Sequence, residues 1–440
     1  MEQLLHTPEG VRDIYNGECA RKLAVEQKIR ETMNLYGYRD IQTPGFEFFD
    51  IFRKERGSVA SKDMFKFFDR EGNTLVLRPD MTPSIARCAA KYYSEERIPV
   101  RLCYLGNTYT NNSSYQGRLK ECTDAGAELI GDDGVQADAE MVALVIDCLL
   151  KAGLTEFQIE LGHVGFFDGL LNEAGIQEKD REELRALFDN KNYFGIETRI
   201  SQMPISGEKK ELFRKLPQLF GTEDSLTLAR KLLTRRDVCQ GDGGAASEAA
   251  VANETAAAME DSKYSAAMEA VDRLEKIYEI LKLYGLEKYV SFDLGMMVTY
   301  RYYTGVIFKG YTYGTGDTIV SGGRYDTLMA QFGKDRPSVG FKISVDGLLT
   351  AMERQKIRIQ TEGIDALVVC KDGQSERGIV LAGDLRKKGV RLAVYHLEGH
   401  NLEDYVEYGK RMGANSLFYI GENGKEAEKI SLKTGENKNG

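Results

Sequence analysis

The sequence predicts an α+β fold, in which helices flank a largely antiparallel sheet and a helical insertion and a small C-terminal α/β domain are added. Three observations predict it. Segments with strand-like alternation lie on both sides of a helical region at about 168–285, so one sheet must combine strands that are distant in sequence. The intervening region has helical periodicity. After residue 363, strand-like and helix-like segments alternate, which favours parallel pairing.

Length and composition limit the class of protein. The 440 residues are 42% hydrophobic and 29% charged, which is typical of a globular chain of two or three domains. The net charge of -9 argues against broad, non-specific nucleic-acid binding. Seven cysteines without a CxxC pair and four dispersed histidines predict neither a metal site nor a disulfide framework, and we expect no cofactor. The absence of an apolar run of about 18 residues predicts no membrane span, and a reducing cytoplasm fits best.

The first half of the chain shows alternating helix and strand signals. In order, these are a helix over 17–36, a strand in YRDIQTP, a hairpin in TLVLRPDMTP, helices near 84–95 and 137–152, and a strand in FQIELGH. The stretch 104–131, YLGNTYTNNSSYQGRLKECTDAGAELIG, reads as two strands joined by a loop.

The second half adds strands and a separate unit. A run of small and acidic residues at 241–262 predicts a mobile loop inside the insertion. Strand signals return in VSFDLG, YYTGVIFKGYTYG and TIVSGGRYD, and the glycine-rich segment GTGDTIVSGG at 314–323 predicts a hairpin turn. We therefore predict a core over 1–353, a small α/β domain over 363–425 and a tail over 426–440.

Two acidic residues share one face of the strand in RLKECTDAGAELI. Strand side chains two residues apart point the same way, so Asp124 and Glu128 flank Gly126, which leaves space above the sheet. Such a face could hold a small cation, but two acids on one strand face are more often simply solvated. Arg324 and Asp326, further along the chain, are predicted to form a structural ion pair or turn.

Several motifs together resemble a known family. LRPDMTPSIAR, YYTGVIF, SGGRYD and PSVGF occur in the order of the signatures of class II histidyl-tRNA synthetases. The segment YGYRDIQTPGFE, centred on Pro44, resembles the motif that packs the dimer interface in that fold, and the C-terminal unit resembles a shortened anticodon-binding domain. The resemblance covers nearly the whole chain and implies a class II aminoacyl-tRNA synthetase-like sheet.

The resemblance also implies a binding pocket for L-histidine. Asp80 and Asp124 would receive the α-ammonium group and Glu128 the imidazole, with Tyr303 and Tyr325 as walls. Carboxylates and phenols are the groups that an ammonium and a ring with two polar nitrogens require. The full set of candidate histidine-binding residues is Asp80, Thr82, Asp124, Glu128, Tyr303, Gly322 and Tyr325.

At the positions that hold ATP in the synthetases, the sequence departs from the pattern. Thr110, Val298 and Gly347 stand where the resemblance places arginines, and Arg118 and Arg301 are candidate auxiliary cations. Loss of one preorganised cationic donor commonly lowers a rate by about 10²- to 10³-fold. The resemblance therefore implies that the chain does not form an adenylate and has lost the positive charges that would hold a triphosphate.

A histidyl-synthetase-like chain with LRPDMT and without these arginines resembles the regulatory subunits of ATP phosphoribosyltransferase. That resemblance implies a non-catalytic subunit that joins a short-form catalytic subunit in the first step of L-histidine biosynthesis and passes on feedback inhibition by histidine. It also implies a homodimer within a hetero-octamer. Two alternatives are a divergent histidyl-tRNA synthetase and a pseudo-synthetase module that binds tRNA.

Overall fold

The computed structural model describes residues 5–52, 59–112, 118–234, 265–296, 302–422 and 427–432. The predicted mobile loop over 241–262 lies outside them. The chain divides into two compact units. One consists of Met1–Asp13 and Val25–Arg358, and the other of Ile14–Ala24 and Ile359–Gly440. None of the described helices is long and apolar enough to cross a bilayer.

The helices of the described residues follow the predicted order. They are α1 (Asn16–Leu35), α2 (Thr82–Tyr92), α3 (Val135–Ala152), α4 (Val164–Glu173), α5 (Glu178–Asp189), α6 (Tyr193–Gln202), α7 (Gly207–Lys215), α8 (Glu223–Thr234), α9 (Ser265–Tyr284), α10 (Val345–Arg354), α11 (Ser375–Lys387) and α12 (Leu402–Arg411). The stop predicted after α1 is Gly37, whose φ of 84° is a left-handed conformation that glycine adopts without strain.

The strands of the described residues form three sheets. They are β1 (Arg39–Asp40), β2 (Phe46–Phe48), β3 (Lys66–Phe68), β4 (Thr74–Leu77), β5 (Val100–Tyr109), β6 (Glu121–Ile130), β7 (Phe157–His163), β8 (Phe220–Gly221), β9 (Val290–Asp293), β10 (Val306–Thr312), β11 (Val320–Arg324), β12 (Ser338–Ser344), β13 (Ala366–Cys370), β14 (Leu392–His396), β15 (Ser416–Ile420) and β16 (Glu428–Ser431).

The central sheet has nine strands in the order β1-β5-β6-β12-β11-β10-β7-β9-β8. Its pairs are antiparallel except β1 with β5 and β7 with β9. Three strands that follow the helical region, β10 to β12, are inserted between β6 and β7. The prediction of a largely antiparallel sheet built from both sides of the helical region is therefore confirmed.

A buried ion network ties the central sheet to the helices that cover it. Asp138 on α3 is fully buried and contacts Arg324 at 2.7 Å and Arg273 at 2.6 Å. Arg324 also lies 3.2 Å from Asp326. Two guanidinium groups offset the cost of burying this carboxylate. Arg324 and Asp326 therefore have the structural role that the sequence predicted for them.

A small three-stranded sheet, β2-β4-β3, lies beside the segment that contains Pro44. Strand side chains alternate, so Phe46 and Phe48 point to one face while Glu47 points to the other, where it is buried and pairs with Arg87 at 2.7 Å. The two phenylalanines are 53% and 55% exposed. This sheet therefore presents an aromatic face to solvent.

The second unit contains a four-stranded sheet in the order β14-β13-β15-β16, with β14, β13 and β15 parallel. Helices α11 and α12 connect these strands, as the alternation predicted. The predicted tail over 426–440 is wrong in part, because Glu428–Ser431 pairs antiparallel with β15. The strand has the sequence EKIS, and it is too short and polar for its alternation to be recognised without its pairing partner.

Candidate functional site

A cleft of about 410 Å³ lies over one face of the central sheet. Side chains directly opposite on paired strands share a face, so the strand register determines its floor. Gly126 of β6 lies opposite Lys342 of β12, which lies opposite Ser321 of β11, which lies opposite Lys309 of β10. The polar lining of this outer cleft includes Thr108, Lys120, Asp124, Lys309, Ser321 and Lys342.

A second, much smaller cavity adjoins the outer cleft. This inner hollow measures about 10 Å³, which is room for about one water molecule. It shares Tyr303, Ser321 and Lys342 with the outer cleft. The remaining lining includes Asp80, Thr82, Glu128, Tyr302, Gly340 and Tyr325. Acids and phenols thus surround the hollow, and the two cavities are neighbours with a shared wall.

Glu128 is the central group of the inner hollow. Its carboxyl accepts hydrogen bonds from Tyr325 Oη at 2.5 Å and Thr82 Oγ1 at 2.8 Å. Burial raises the pKa of Glu128 to about 8, and nearby Asp80 acts in the same direction, while the two hydrogen bonds oppose the rise. At neutral pH this carboxyl is therefore mostly protonated, and it can act as a donor or an acceptor.

Two glycines allow functional side chains to lie flat on the sheet. A Cβ atom at Gly340 would lie 1.7 Å from Glu128 Oε2, so the carboxyl tip occupies the space above that residue. A Cβ atom at Gly126 would lie 2.5 Å from Tyr104 Oη. The space above Gly126 that the sequence offered to a small cation is therefore taken by a buried phenol.

Two further carboxyl groups lie near Glu128. Asp80, 2% exposed, accepts a hydrogen bond from Tyr302 Oη at 3.3 Å. Asp124 accepts one from Thr108 Oγ1 at 2.9 Å and lies 3.6 Å from Lys342 Nζ. Burial raises the pKa of Asp124, and the Lys342 ammonium opposes the rise.

The structure brings the seven candidate histidine-binding residues together, but it divides them between the two cavities. Asp80, Thr82, Glu128 and Tyr325 line the inner hollow, and Tyr303 lines both cavities. Asp124 and Gly322 line only the outer cleft. Gly322 contributes only its backbone. A Cβ atom at this position would lie 2.3 Å from the ring of Phe308, so a side chain would not fit there.

Sequence reasoning missed several polar residues at this site, among them Tyr104, Thr108, Tyr302, Lys309, Ser321 and Lys342. Three of them could have been identified from the sequence. Tyr302 adjoins Tyr303 in the YYTG motif, and Tyr104 and Thr108 lie on the first arm of the predicted hairpin, whose partner strand carries Asp124. Lys342 reaches the site only through the pairing of β12 with β6, which local sequence does not show.

Of the positions that the resemblance linked to ATP, Thr110 lines the outer cleft, whereas Gly347 lies in the first turn of α10. The backbone N–H of Gly347 donates to the capping side chain of Ser344 at 3.2 Å. Arg118 lies 3.6 Å from Asp317, and both side chains are exposed. Val298 and Arg301 lie outside the described residues.

The outer cleft is not without positive charge. Lys120, Lys309 and Lys342 all line it. The prediction that the site has lost its positive charges was based on the arginine positions of the family motifs alone. It is too broad, because these lysines lie at other positions. Lysine supplies a compact point charge rather than the planar fork with which arginine grips a phosphate, so the two are not interchangeable.

The sequence and the structure both match known proteins. The family model for histidyl-tRNA synthetase matches residues 10–257 and 243–348. The ATP phosphoribosyltransferase regulatory subunit of Acetivibrio thermocellus is 36% identical over 420 residues, 95% of this chain and 93% of that one. The same-named subunit of Ruminiclostridium cellulolyticum is 35% identical over 421 residues, 96% of this chain and 93% of that one.

A solved structure has the same architecture. It is described as an ATP phosphoribosyltransferase regulatory subunit/histidyl-tRNA synthetase from Bacillus halodurans, with a TM-score of 0.79 and 29% identity, and the match covers 94% of this chain and 98% of that one. With relatives above 30% identity over almost the entire length, the chain belongs to the family of ATP phosphoribosyltransferase regulatory subunits, which is built on the histidyl-tRNA synthetase fold.

Proposed function

We propose that this regulatory subunit of ATP phosphoribosyltransferase works in the cytoplasm without a catalytic step of its own. It joins a short-form catalytic subunit for the first step of L-histidine biosynthesis and binds free L-histidine as the feedback signal. The observation that supports histidine binding is the placement of Glu128, which lies in a hollow of acids and phenols at the inner end of a cleft open to solvent.

The chemistry of the site suits a free histidine molecule. Asp80 and Asp124, both almost fully buried, would receive the α-ammonium group. Glu128 and Tyr325 would receive the two nitrogens of the imidazole. A neutral imidazole has one donor and one acceptor nitrogen, so a carboxyl group together with a phenol can satisfy both. Charge-assisted hydrogen bonds of this kind contribute about 1.5–3 kcal/mol each.

Binding requires the inner hollow to widen, because a cavity of about 10 Å³ is too small for an imidazole ring. Tyr303 lines both cavities, so displacement of its side chain would join them. The ring contacts Tyr302, with centroids 4.9 Å apart, and Tyr302 in turn contacts Tyr325 at 5.9 Å. We infer that the three tyrosines rearrange together when histidine enters.

The absence of a catalytic step is supported by the positions aligned with the ATP arginines. Thr110 and Gly347 carry no positive charge, and Gly347 takes part in the start of α10 instead. The lysines of the outer cleft provide charge without bidentate geometry. We therefore expect no histidyl-adenylate.

A homodimer within a hetero-octamer is part of the proposal. The exposed aromatic face formed by Phe46, Phe48 and Phe67 is supporting evidence, because exposed apolar side chains that cluster on one surface mark interaction sites. It follows the segment that, by resemblance, packs the synthetase dimer.

Calorimetric titration with L-histidine tests the proposal. Wild-type protein should bind it, and Glu128→Gln, which keeps the size of the side chain, should weaken binding by about 10- to 100-fold. ATP-dependent pyrophosphate exchange should be undetectable. Mixing with a short-form catalytic subunit should raise phosphoribosyltransferase activity, and histidine should lower it again.

Three outcomes would contradict parts of this proposal. Formation of histidyl-adenylate would identify a divergent synthetase. Specific binding of tRNA at moderate salt would favour the module that binds tRNA. Failure of wild-type protein to bind histidine would remove the sensing role.

A further inference from the structure

A row of charged and polar side chains runs from β7 across the floor of the outer cleft. In register, Glu160 of β7 lies opposite Lys309, Lys309 opposite Ser321, and Ser321 opposite Lys342. Adjacent strands are about 4.8 Å apart, so the two lysine α-carbons, one strand apart on either side of Ser321, are about 10 Å from each other. Because all four side chains share a face, two ammonium groups flank one hydroxyl.

This row has a fixed position relative to Glu128. The tip of the Glu128 side chain lies above Gly340, since a Cβ atom there would meet its Oε2 at 1.7 Å. Gly340 pairs with Gly323, so Ser321 is its diagonal neighbour, about 7–8 Å away. Glu128, Ser321 and Lys342 also line the same inner hollow. A ligand held at Glu128 by one end therefore has its other end near Ser321.

We propose that Lys309, Ser321 and Lys342 form the binding site for the α-carboxylate of a free amino acid whose side chain occupies the Glu128 hollow. The inference rests on the proposed binding of histidine and adds the group that selects a free carboxylate. With acids for the ammonium and lysines for the carboxylate, the cleft distinguishes the complete amino acid from its alcohol, ester or amine.

The lysines suit this role because each has an acid as a neighbour on the same face of the sheet. Lys342 lies 3.6 Å from Asp124, and Lys309 lies opposite Glu160. An ammonium group has three N–H donors, so it can contact its resident acid and a ligand carboxylate together. The Lys342–Asp124 pair also places a positive group beside a negative one, which matches the adjacent carboxylate and ammonium of an amino acid.

The test compares L-histidine with L-histidinol, which has an alcohol in place of the carboxylate. Calorimetric titration of wild-type protein should show a preference for histidine of about 10- to 100-fold, the effect of one charge-assisted contact. The Lys309→Gln/Lys342→Gln double variant should reduce the preference to within about threefold. Both ligands keep the ammonium and the imidazole, so the ratio is insensitive to a disturbance of Asp124.

The matched control is Lys120→Gln. Lys120 lines the same cleft but precedes Gly126 by six residues, about 20 Å along the strand direction. The Lys120→Gln variant should keep the wild-type ratio of histidine affinity to histidinol affinity. The Lys342→Arg variant should also keep it, because arginine retains the positive charge. The single variant Lys309→Gln, whose site is further from Asp124, gives the second measurement if the double variant does not fold.

Equal binding of histidine and histidinol by wild-type protein would overturn this inference and leave the proposed histidine sensing intact. A double variant that keeps the full preference, or a Lys120→Gln variant that loses it, would also overturn it. If wild-type protein binds neither ligand, the proposed sensing and this inference fail together.

Discussion

The proton on Glu128 should control how histidine affinity depends on pH. The pKa of Glu128 is raised to about 8, whereas a free histidine side chain has a pKa of about 6.5. Between these values the separated carboxyl and imidazole hold one proton in total, and a complex can place that proton on either group. Below about pH 6.5 they hold two protons and binding must release one; above about pH 8 they hold none and binding must take one up.

We therefore expect histidine affinity to be greatest between about pH 6.5 and 8 and to fall by up to about tenfold per pH unit on either side. Calorimetric titration from pH 5.5 to 9 measures this profile. Glu128→Gln should remove the decline just above pH 8, because glutamine has no proton to lose, and should keep the acidic decline. A wild-type affinity that rises through pH 8 would contradict the role given to Glu128.

At the scale of the element, His163 joins β7 to α4 and acts as the N-cap of that helix. Its Nδ1 accepts a hydrogen bond from the Gly165 N–H at 3.1 Å. Burial lowers the pKa of His163 to about 4, and the nearby Arg273 and Arg324 lower it further. The folded protein thus binds fewer protons here than the unfolded chain between about pH 4 and the ordinary value of 6.5, so stability rises with pH in that window.

Urea unfolding between pH 4 and 7 checks this expectation. The wild-type free energy of unfolding should lose up to about 1.4 kcal/mol per pH unit on acidification through the window, and His163→Asn should lose less, because asparagine caps without titrating. His163→Ala should be less stable than His163→Asn by about 1 kcal/mol at every pH, the contribution of the cap. Identical pH profiles for wild type and His163→Asn would refute the assignment.

Single strands could be predicted from the sequence, but the pairing between distant strands could not. Strands β6 and β7 were predicted from alternation within single segments, and the same alternation placed Asp124 and Glu128 on one face. The division of the site into an outer cleft and an inner hollow could not be predicted, because it depends on Glu128 lying over Gly340 of a strand more than 200 residues away. The row formed by Lys309, Ser321 and Lys342 depends likewise on non-local pairing.

For the whole molecule, feedback regulation requires histidine to bind two quaternary states with different affinity. The floor of the site is made by strands β6, β12, β11 and β10 at the middle of the nine-stranded sheet. Helix α3, which carries Asp138, holds Arg324 at the end of β11 beside the inner hollow. A rearrangement of Tyr325 would therefore act on its sequence neighbour Arg324 and, through the ion pair with Asp138, on helix α3.

The state of assembly should depend on the aromatic face of the β2-β4-β3 sheet. Phe46 and Phe48 are more than half exposed and lie on one face, while Glu47 between them is buried against Arg87. Burying such aromatic side chains stabilises an interface strongly, so Phe46→Ser/Phe48→Ser should weaken self-association by about 10- to 100-fold in sedimentation velocity. Phe194→Ser, at an 82% exposed position on α6, is the matched control and should leave self-association unchanged. If the control dissociates and the double variant does not, the dimer surface lies on the helical insertion instead.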